Sequence, residues 1–418
     1  MYELTSYNII NELDKNHLLI FNSLSRAVIK ISKNKLQECL ENPGFQGDIG
    51  EYLLKGFFIY KHGSDEKSLF SYIYKNLNTE TRRIGVTLVP SRLCNLRCTY
   101  CIQNNLFNNH DSHFMTEKII DNYYTWLLEY IQKFKTEEIG FNFYGGEPLM
   151  INKSILLYLI KKMNSLPVKT KFIMVTNGMR LLDHPDIIPY IDSYRITIDG
   201  LSALHDSRRV CPDGSGSYRK IVANINKYIK KYGKKNISIR MNVDKDNRLY
   251  LKEAVDQILS NIESSDIEFR LFPVVPNKKN VNFKSLHEDL VATANQMYDC
   301  YLHLKRKYNI KPFIFSMNCG ISSFGRWVFD TDGSLHKCCS HIGFDEKKVG
   351  SLTSKLFNEN YYDYLNREYD LECQECAYIN YCGGGCKWQE EMHGEKQCLK
   401  EFYDSYIPRM IKLIYADC

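Results

Sequence analysis

The sequence predicts an α/β protein built on a parallel sheet, with a small unit of strands and helices before it and a cysteine-rich unit after it. Three observations carry this. Between about residues 81 and 310, six apolar strand-like segments alternate with helix-patterned ones, and βα units repeated in this way form parallel sheets. Three thiols, Cys94, Cys98 and Cys101, follow the first of these strands in VPSRLCNLRCTYCIQNN, at a strand's carboxyl end, where α/β enzymes place their chemistry. The stretch from Cys319 to Cys398 then holds eight more cysteines.

At 418 residues the chain has room for about two or three domains, and we divide it at 1–80, 81–310 and 311–418. Hydrophobic residues at 44% and charged residues at 25% are ordinary for a globular protein. No run approaches the roughly 18 apolar residues of a membrane span. MYELTSYNIINELDK lacks a basic-then-apolar signal pattern, so a cytoplasmic location is expected. Fifteen cysteines without an export signal argue for metal or redox chemistry over a disulfide framework. A net charge of +6, spread along the chain, makes no case for nucleic acid but suits an acidic peptide partner.

In the first unit HLLIFNSLSRAVIKI reads as two short strands joined at Asn22 to Ser25. Ser32 is placed to cap a helix through KNKLQECLEN, a second helix runs through DIGEYLLK, and Gly56 ends it before the strand FFIYKH. A structural cap for the sheet and a peptide-binding role both fit this order.

In the second unit the strands are RIGVTLVP, IGFNFYGG, KFIMVTNG, SYRITIDG, ISIRMNVD and IEFRLFPVV. Thr116 is a plausible N-cap for the helix EKIIDNYYTWLLEYIQKF, in which Ile119, Ile120, Tyr123, Leu127, Tyr130 and Ile131 keep helical spacing. The strand ends carry Gly145, Gly146, Glu147 and Pro148, then TNG (176–178), then Thr197, Asp199 and Gly200. Glycines let backbone come close to a neighbour, and a carboxylate accepts bonds from an ammonium group.

The spacing Cys-x3-Cys-x2-Cys suits three irons of a cubane cluster, leaving the fourth iron without a protein ligand. A zinc site wants a fourth ligand close by; read on residues alone, a zinc or redox loop stays open. With Tyr100 before the third cysteine and the Gly-Gly-Glu after the second strand, the chain resembles the radical SAM superfamily. That resemblance implies a partial (β/α)6 TIM barrel, open on one side. It also implies a 4Fe-4S cluster on Cys94, Cys98 and Cys101 whose open iron chelates S-adenosylmethionine. Tyr100 would lie beside the adenine, Gly145, Gly146 and Glu147 would take the amino group, and Asn177 and Thr197 would contact the rest of the cofactor. HDSRRVCPDGSGSY (205–218) resembles the peptide-modifying branch, with Arg209 at its arginine, a cofactor or substrate contact or else a surface salt bridge.

The tail reads Cys319-x13-Gly333-x4-Cys338, a gap, then Cys373-x2-Cys376-x5-Cys382-x3-Cys386 and x11-Cys398, too many thiols for one zinc. It resembles the SPASM domain, which implies two auxiliary 4Fe-4S clusters, an outer one on Cys373, Cys376, Cys382 and Cys398 and an inner one on Cys319, Cys338 and Cys386. Gly383 to Gly385 allow a tight fold between ligands. Where relatives carry a further inner ligand six residues after the first, this chain has Gly325, so the inner cluster has an open site or takes Cys339. Cys39, Cys211 and Cys300 read as small buried hydrophobes, and Cys418 has no assigned role. The first unit, more weakly, resembles the winged-helix-like domains that bind leader peptides by strand addition.

Together the resemblances imply an oxidoreductase with three clusters and S-adenosylmethionine. It would abstract a hydrogen atom from a ribosomally made precursor peptide, with electrons from a flavodoxin- or ferredoxin-type donor. The cross-link favoured is a cysteine thioether, because an open iron in the inner cluster would hold a substrate thiolate. Catalytic protein residues are not identified. The rivals are a carbon–carbon link, anaerobic sulfatase maturation to formylglycine, and a non-enzymatic zinc-dependent binding protein. Against sulfatase maturation, those enzymes carry an aspartate base directly after the cysteine matching Cys338, where this chain has Cys339.

Overall fold

The computed structural model describes the chain apart from residues 43–46, 104–113, 234–236, 264–266, 275–289, 317–319, 355–356, 395 and 417–418. Cys319 and Cys418 therefore lie outside the described residues.

The first unit comprises β1 (Tyr2–Leu4), β2 (Asn8–Glu12), β3 (His17–Asn22), β4 (Val28–Ser32), α1 (Lys33–Glu41), α2 (Asp48–Lys55), β5 (Ile59–Lys61) and α3 (Glu66–Asn78). The β3–β4 hairpin, the two following helices and the strand at FFIYKH lie where the sequence puts them, and the Ser32 side chain accepts from Lys35 N as the α1 cap. The sequence reading missed β1, β2 and α3. As a result β5 does not extend the hairpin: it pairs antiparallel with β1, while β2–β3–β4 form a separate antiparallel sheet. Short strands with few apolar residues leave little periodic signal.

The central sheet takes all six expected strands: β6 (Arg83–Ser91), β8 (Glu138–Gly145), β9 (Lys169–Thr176), β10 (Ser193–Thr197), β12 (Ile237–Val243) and β13 (Glu268–Pro273). Between them run β7 (Arg97–Cys98), α4 (Glu117–Phe134), α5 (Lys153–Asn164), α6 (Ser202–Arg208), β11 (Arg209–Val210), α7 (Tyr218–Tyr232) and α8 (Leu251–Asn261), and α9 (Leu290–Tyr308) follows. The six strands are parallel and neighbour one another in chain order, with β13 at one edge. Alternate residues such as Val86, Phe141, Met174, Ile196, Ile239 and Leu271 are fully buried against the helical layer, which fixes which face turns inward. Thr116 caps α4 by accepting from Ile119 N at 3.3 Å. Ile120, Tyr123, Leu127 and Tyr130 are its buried face, with Ile119 and Ile131 half-buried beside them.

The third unit adds β14 (Arg326–Phe329), β15 (Ser334–His336), β16 (Gly350–Ser351), α10 (Glu359–Leu365), α11 (Leu371–Gln374), α12 (Ile379–Cys382), α13 (Lys387–His393) and α14 (Lys400–Tyr415). Here the sheet exceeds the sequence reading: β14 pairs parallel with β6, Trp327 opposite Val86, and β15 and β16 continue the sheet antiparallel to nine strands. The cysteine-rich tail is thereby tied to the strand that carries the Cys94 loop. The first unit also packs on the tail. Tyr7, Leu24, Phe70, Ile73 and Tyr74 share a buried cluster with Ile379, Asn380 donates to Ser23 O at 2.7 Å, and the Tyr74 and Tyr369 hydroxyls are bonded at 2.9 Å.

Candidate active site

The thiol loop leaves β6 and is fastened on three sides. Arg92 is 2% exposed and donates from Nε and Nη2 to both oxygens of Asp330, at 2.9 and 2.8 Å. Cys98 lies in β7, which pairs antiparallel with β11 so that Arg209 stands opposite it. On the third side, Gly146 N and Glu147 N donate to Ser91 O and Leu93 O at 3.0 and 2.7 Å. A Cβ on Gly146 would sit 2.3 Å from Leu93 O and 2.4 Å from Arg92 O. The close approach that the two glycines permit is therefore to the backbone of the thiol loop.

Glu147 is buried, and its oxygens accept from Thr176 Oγ1 (2.6 Å), Asn177 N (2.7 Å) and Leu149 N (3.2 Å). Burial raises its pKa, and these bonds oppose the rise. Asn177 in turn donates to Asn95 Oδ1 at 2.7 Å and to Cys94 Sγ at 3.7 Å. The strand ends GGE and TNG thus meet the thiol loop through one chain of bonds.

A second network holds Tyr100. Its hydroxyl donates to Asp199 and accepts from Arg209 Nη1 at 2.5 Å and Asn242 Nδ2 at 3.1 Å. Arg209 is 8% exposed and lies 3.7 Å from Asp199, a buried pair and not the surface salt bridge that the sequence left open. His205 accepts from Asp199 N at Nδ1 (3.1 Å), so its proton sits on Nε2, facing Ser217 Oγ at 3.0 Å. Burial and the nearby Arg209 lower its pKa to about 4. Asp206 accepts from Ser217 N and Tyr218 N, both at 2.8 Å, and so caps the start of α7. Arg208 of the same HDSRR segment pairs with the buried Asp244.

Tyr100, Gly145, Gly146, Glu147, Asn177, Thr197 and Arg209 line one cavity of about 840 Å³ together with Cys98, Cys101, Cys338, Cys339 and Cys386. Asp199, Asn242, Tyr144 and Arg240 belong to the site or its support and were missed as site residues. A polar residue at every second position of ISIRMNVD was the available signal for Asn242 and Arg240.

Burial pushes the Cys94 thiol to about 12 and Cys98 to about 11, each also feeling the Cys101 thiol. Thiols so placed become thiolates only beside strong positive charge such as metal, and three of them on one loop fit an iron–sulfur cubane. Among the described residues no three His, Cys, Asp or Glu side chains converge on a single ion position; a cubane instead needs its thiolates on separate irons.

In the tail, Cys382 lies within electrostatic reach of Cys373, Cys376 and Cys398, so these four thiols are gathered. Lys396 Nζ is 2.7 Å from Cys373 Sγ. Gly383, Gly384 and Gly385 all have positive φ, at 63, 72 and 89°, a turn that side-chain-bearing residues resist, and Arg367 donates to all three of their carbonyls. Cys338 and Cys339 open a 3₁₀ turn; Cys338 Sγ accepts from Ser340 N at 3.4 Å, and Cys339 Sγ donates to Thr87 Oγ1 at 3.8 Å. A Cβ on Gly325 would meet Glu80 O at 2.6 Å, so a cysteine does not fit there without movement. Cys39 and Cys300 are buried as expected, whereas Cys211 is half-buried.

The sequence profile of a 4Fe-4S single cluster domain matches residues 84–222, which include the thiol loop. A radical SAM cyclopropyl synthase, TigE of Paramaledivibacter caminithermalis, is 24% identical over 405 residues, covering 91% of this chain and 82% of the relative. A cysteine-type anaerobic sulfatase-maturating enzyme of Clostridium novyi is 23% identical over 335 residues, covering 71% and 86%. The fold is that of Streptococcus suis SuiB bound to precursor peptide SuiA, with a TM-score of 0.55 at 15% identity over 96% of this chain and 99% of that one. With the thiol loop, the Gly-Gly-Glu end and the parallel sheet converging on one cavity, the chain is a radical SAM enzyme, similar to a cyclopropyl synthase and to sulfatase-maturating enzymes.

Proposed function

We propose that this enzyme matures a ribosomally made precursor peptide by installing an intramolecular cross-link, a cysteine thioether being favoured. The observation that carries this reading is the shared cavity, in which Cys98, Cys101 and the Gly-Gly-Glu end face Cys338, Cys339 and Cys386. Cys94, Cys98 and Cys101 would hold the cluster that, with S-adenosylmethionine bound, supplies a carbon radical able to take a hydrogen atom from the peptide. Glu147 spends three acceptor positions on Thr176, Asn177 and Leu149; a carboxylate offers about four, which leaves one for the cofactor's ammonium. Thr197 presents a hydroxyl for the cofactor's carboxylate or ribose. The Tyr100 ring is fixed for the adenine by Asp199, Arg209 and Asn242, which hold its hydroxyl.

Cys319, Cys338 and Cys386 would hold the inner auxiliary cluster and Cys373, Cys376, Cys382 and Cys398 the outer one. With no room for a side chain at residue 325, the remaining inner ligand is Cys339 or a cysteine of the substrate, and the second case is the one that yields a thioether. Residues 1–80 would bind the leader, supported by the fold match to SuiB over 96% of this chain, and a flavodoxin- or ferredoxin-type protein would supply electrons. Sulfatase maturation is the second reading, favoured by the 86% coverage of the C. novyi enzyme and disfavoured by Cys339 where an aspartate is required.

Replacing Cys94, Cys98 and Cys101 together with Ala tests the assignment. Iron should fall from about twelve to about eight per chain, and 5'-deoxyadenosine formation under reduction should vanish. Continued cofactor cleavage by the triple variant would refute the proposal.

A further inference from the structure

The inner wall of the sheet carries cations that cofactor binding does not use. Tyr194 and Ile196 are buried, Tyr194 against Tyr228 of α7, so Arg195 between them faces the other way, into the barrel. Arg240 lines the cavity and stands beside Arg270 in the β12–β13 register. Arg270 is bonded to Glu268 at 2.9 Å, and the same carboxylate lies within electrostatic reach of Arg195. The Nε atoms of Arg195 and Arg270 are buried without a partner among the described residues, and burial together with Arg270 and Arg240 pulls Arg195 down to about 10. Like charges gathered on neighbouring strands cost stability, and such departures from a comfortable core mark functional surfaces.

Arg240 is posed as a receptor. Its guanidinium lies 4.3 Å from the Phe272 ring centroid, and Nε donates to Asn242 Oδ1 at 3.1 Å, which leaves the two Nη groups as a fork. From β14, Arg326 lies across the opposite part of the sheet; a Cβ on Gly85 would be 2.0 Å from its Nη1 and one on Gly320 would be 2.8 Å from its Cγ, so two glycines clear its berth. Arg26 and Arg83 line the same cavity. Among the described residues Arg26, Arg240 and Arg326 make no ion pair with a carboxylate, whereas Arg83 lies within electrostatic reach of Glu138. The acidic residues lining the cavity are Glu80 and Glu147, and Glu147 is already bonded within the site.

We propose that Arg240 binds the carboxylate of an aspartate or glutamate in the substrate peptide, so that the enzyme selects an acidic residue near the one it modifies. This rests on the peptide-modifying reading and adds a substrate class to it. Neutralising the clusters' own negative charge is the competing use for these arginines.

Two fluorescein-labelled heptapeptides separate the two uses: Gly-Asp-Gly-Asp-Gly-Asp-Gly and its counterpart with Asn for each Asp. Their binding to the full-length, cluster-loaded enzyme with S-adenosylmethionine is measured anaerobically by fluorescence anisotropy, at low salt because screening weakens such contacts. A charge-assisted pair of this kind is worth about a ten- to hundred-fold difference in affinity, so the Asp peptide should bind at least about ten-fold tighter than the Asn peptide. Arg240→Gln should bring the two peptides to nearly equal affinity. Arg240→Lys, which keeps the charge and loses the fork, should weaken the preference and keeps the test informative if Arg240→Gln does not fold. Equal affinities in the wild type, or an undiminished preference in the variants, would overturn the proposal. Binding reads the site and mass spectrometry of a modified precursor reads the reaction, so the two claims fail separately.

Discussion

Arg92 and Asp330, 238 positions apart in the chain, form a bidentate ion pair from which water is excluded, with side-chain exposures of 2% and 0%. Arg92 stands two residues before Cys94, and Asp330 lies just past β14, in the segment that leads to Cys338. The pair therefore sets the distance between the thiol loop and the tail's cysteines. Its environment holds the Asp330 carboxyl far below the usual range, the nearby His336 and the bonds from Arg92 outweighing burial.

Asp330→Ala leaves a buried guanidinium with only Asp332, at 3.1 Å, and breaking one side of such a pair costs about 3–5 kcal/mol. The thermal midpoint should fall by several degrees, and cofactor cleavage should fall with it because the loop loses its anchor. A variant that melts with the wild type would show that the pair is dispensable.

Gly146→Ala tests the contact between the Gly-Gly-Glu end and the thiol loop. The added methyl meets two carbonyl oxygens, at 2.3 and 2.4 Å, and backbone must move to admit it, at a cost of about 1–3 kcal/mol. Cofactor cleavage should drop at least about ten-fold while far-UV circular dichroism stays unchanged. Wild-type cleavage would mean that the loop tolerates displacement.

Much of this site was legible in the sequence. The six strands were visible because their alternate residues are strongly apolar, and Thr116 and Ser32 announced their helices by capping chemistry. What stayed hidden was tertiary. β14 contains a strand-like WVF, but nothing local says that it lies parallel beside β6. Asp199 was noticed as a strand end, yet its role under Tyr100 depends on β12 bringing Asn242 alongside. Arg367 stands sixteen residues before Gly383, and only the fold shows it bonded to the glycine turn. The first unit read as separable, whereas Ile379 beside the outer thiols is buried by Tyr7, Phe70 and Tyr74.

A pH titration of stability should show the buried histidines. His205 and His341 have folded pKa values lowered to about 4 and about 3 by burial, below the ordinary value near 6.5. The unfolded chain therefore binds more protons between pH 6.5 and those values, and stability falls as pH falls through that window, by up to about 1.4 kcal/mol per pH unit for each group. His205→Gln should flatten the slope by roughly one group's share between pH 6.5 and about 4. An unchanged slope would place His205 in a polar, accessible setting.

The central claim is tested most directly by co-expressing the enzyme, anaerobically, with a short cysteine-bearing precursor peptide, then alkylating thiols and weighing the product. The account predicts a loss of two hydrogens for each link and one cysteine per link that no longer takes alkyl. A peptide of unchanged mass would contradict maturase function, and a loss of two hydrogens with every cysteine still alkylated would contradict the thioether.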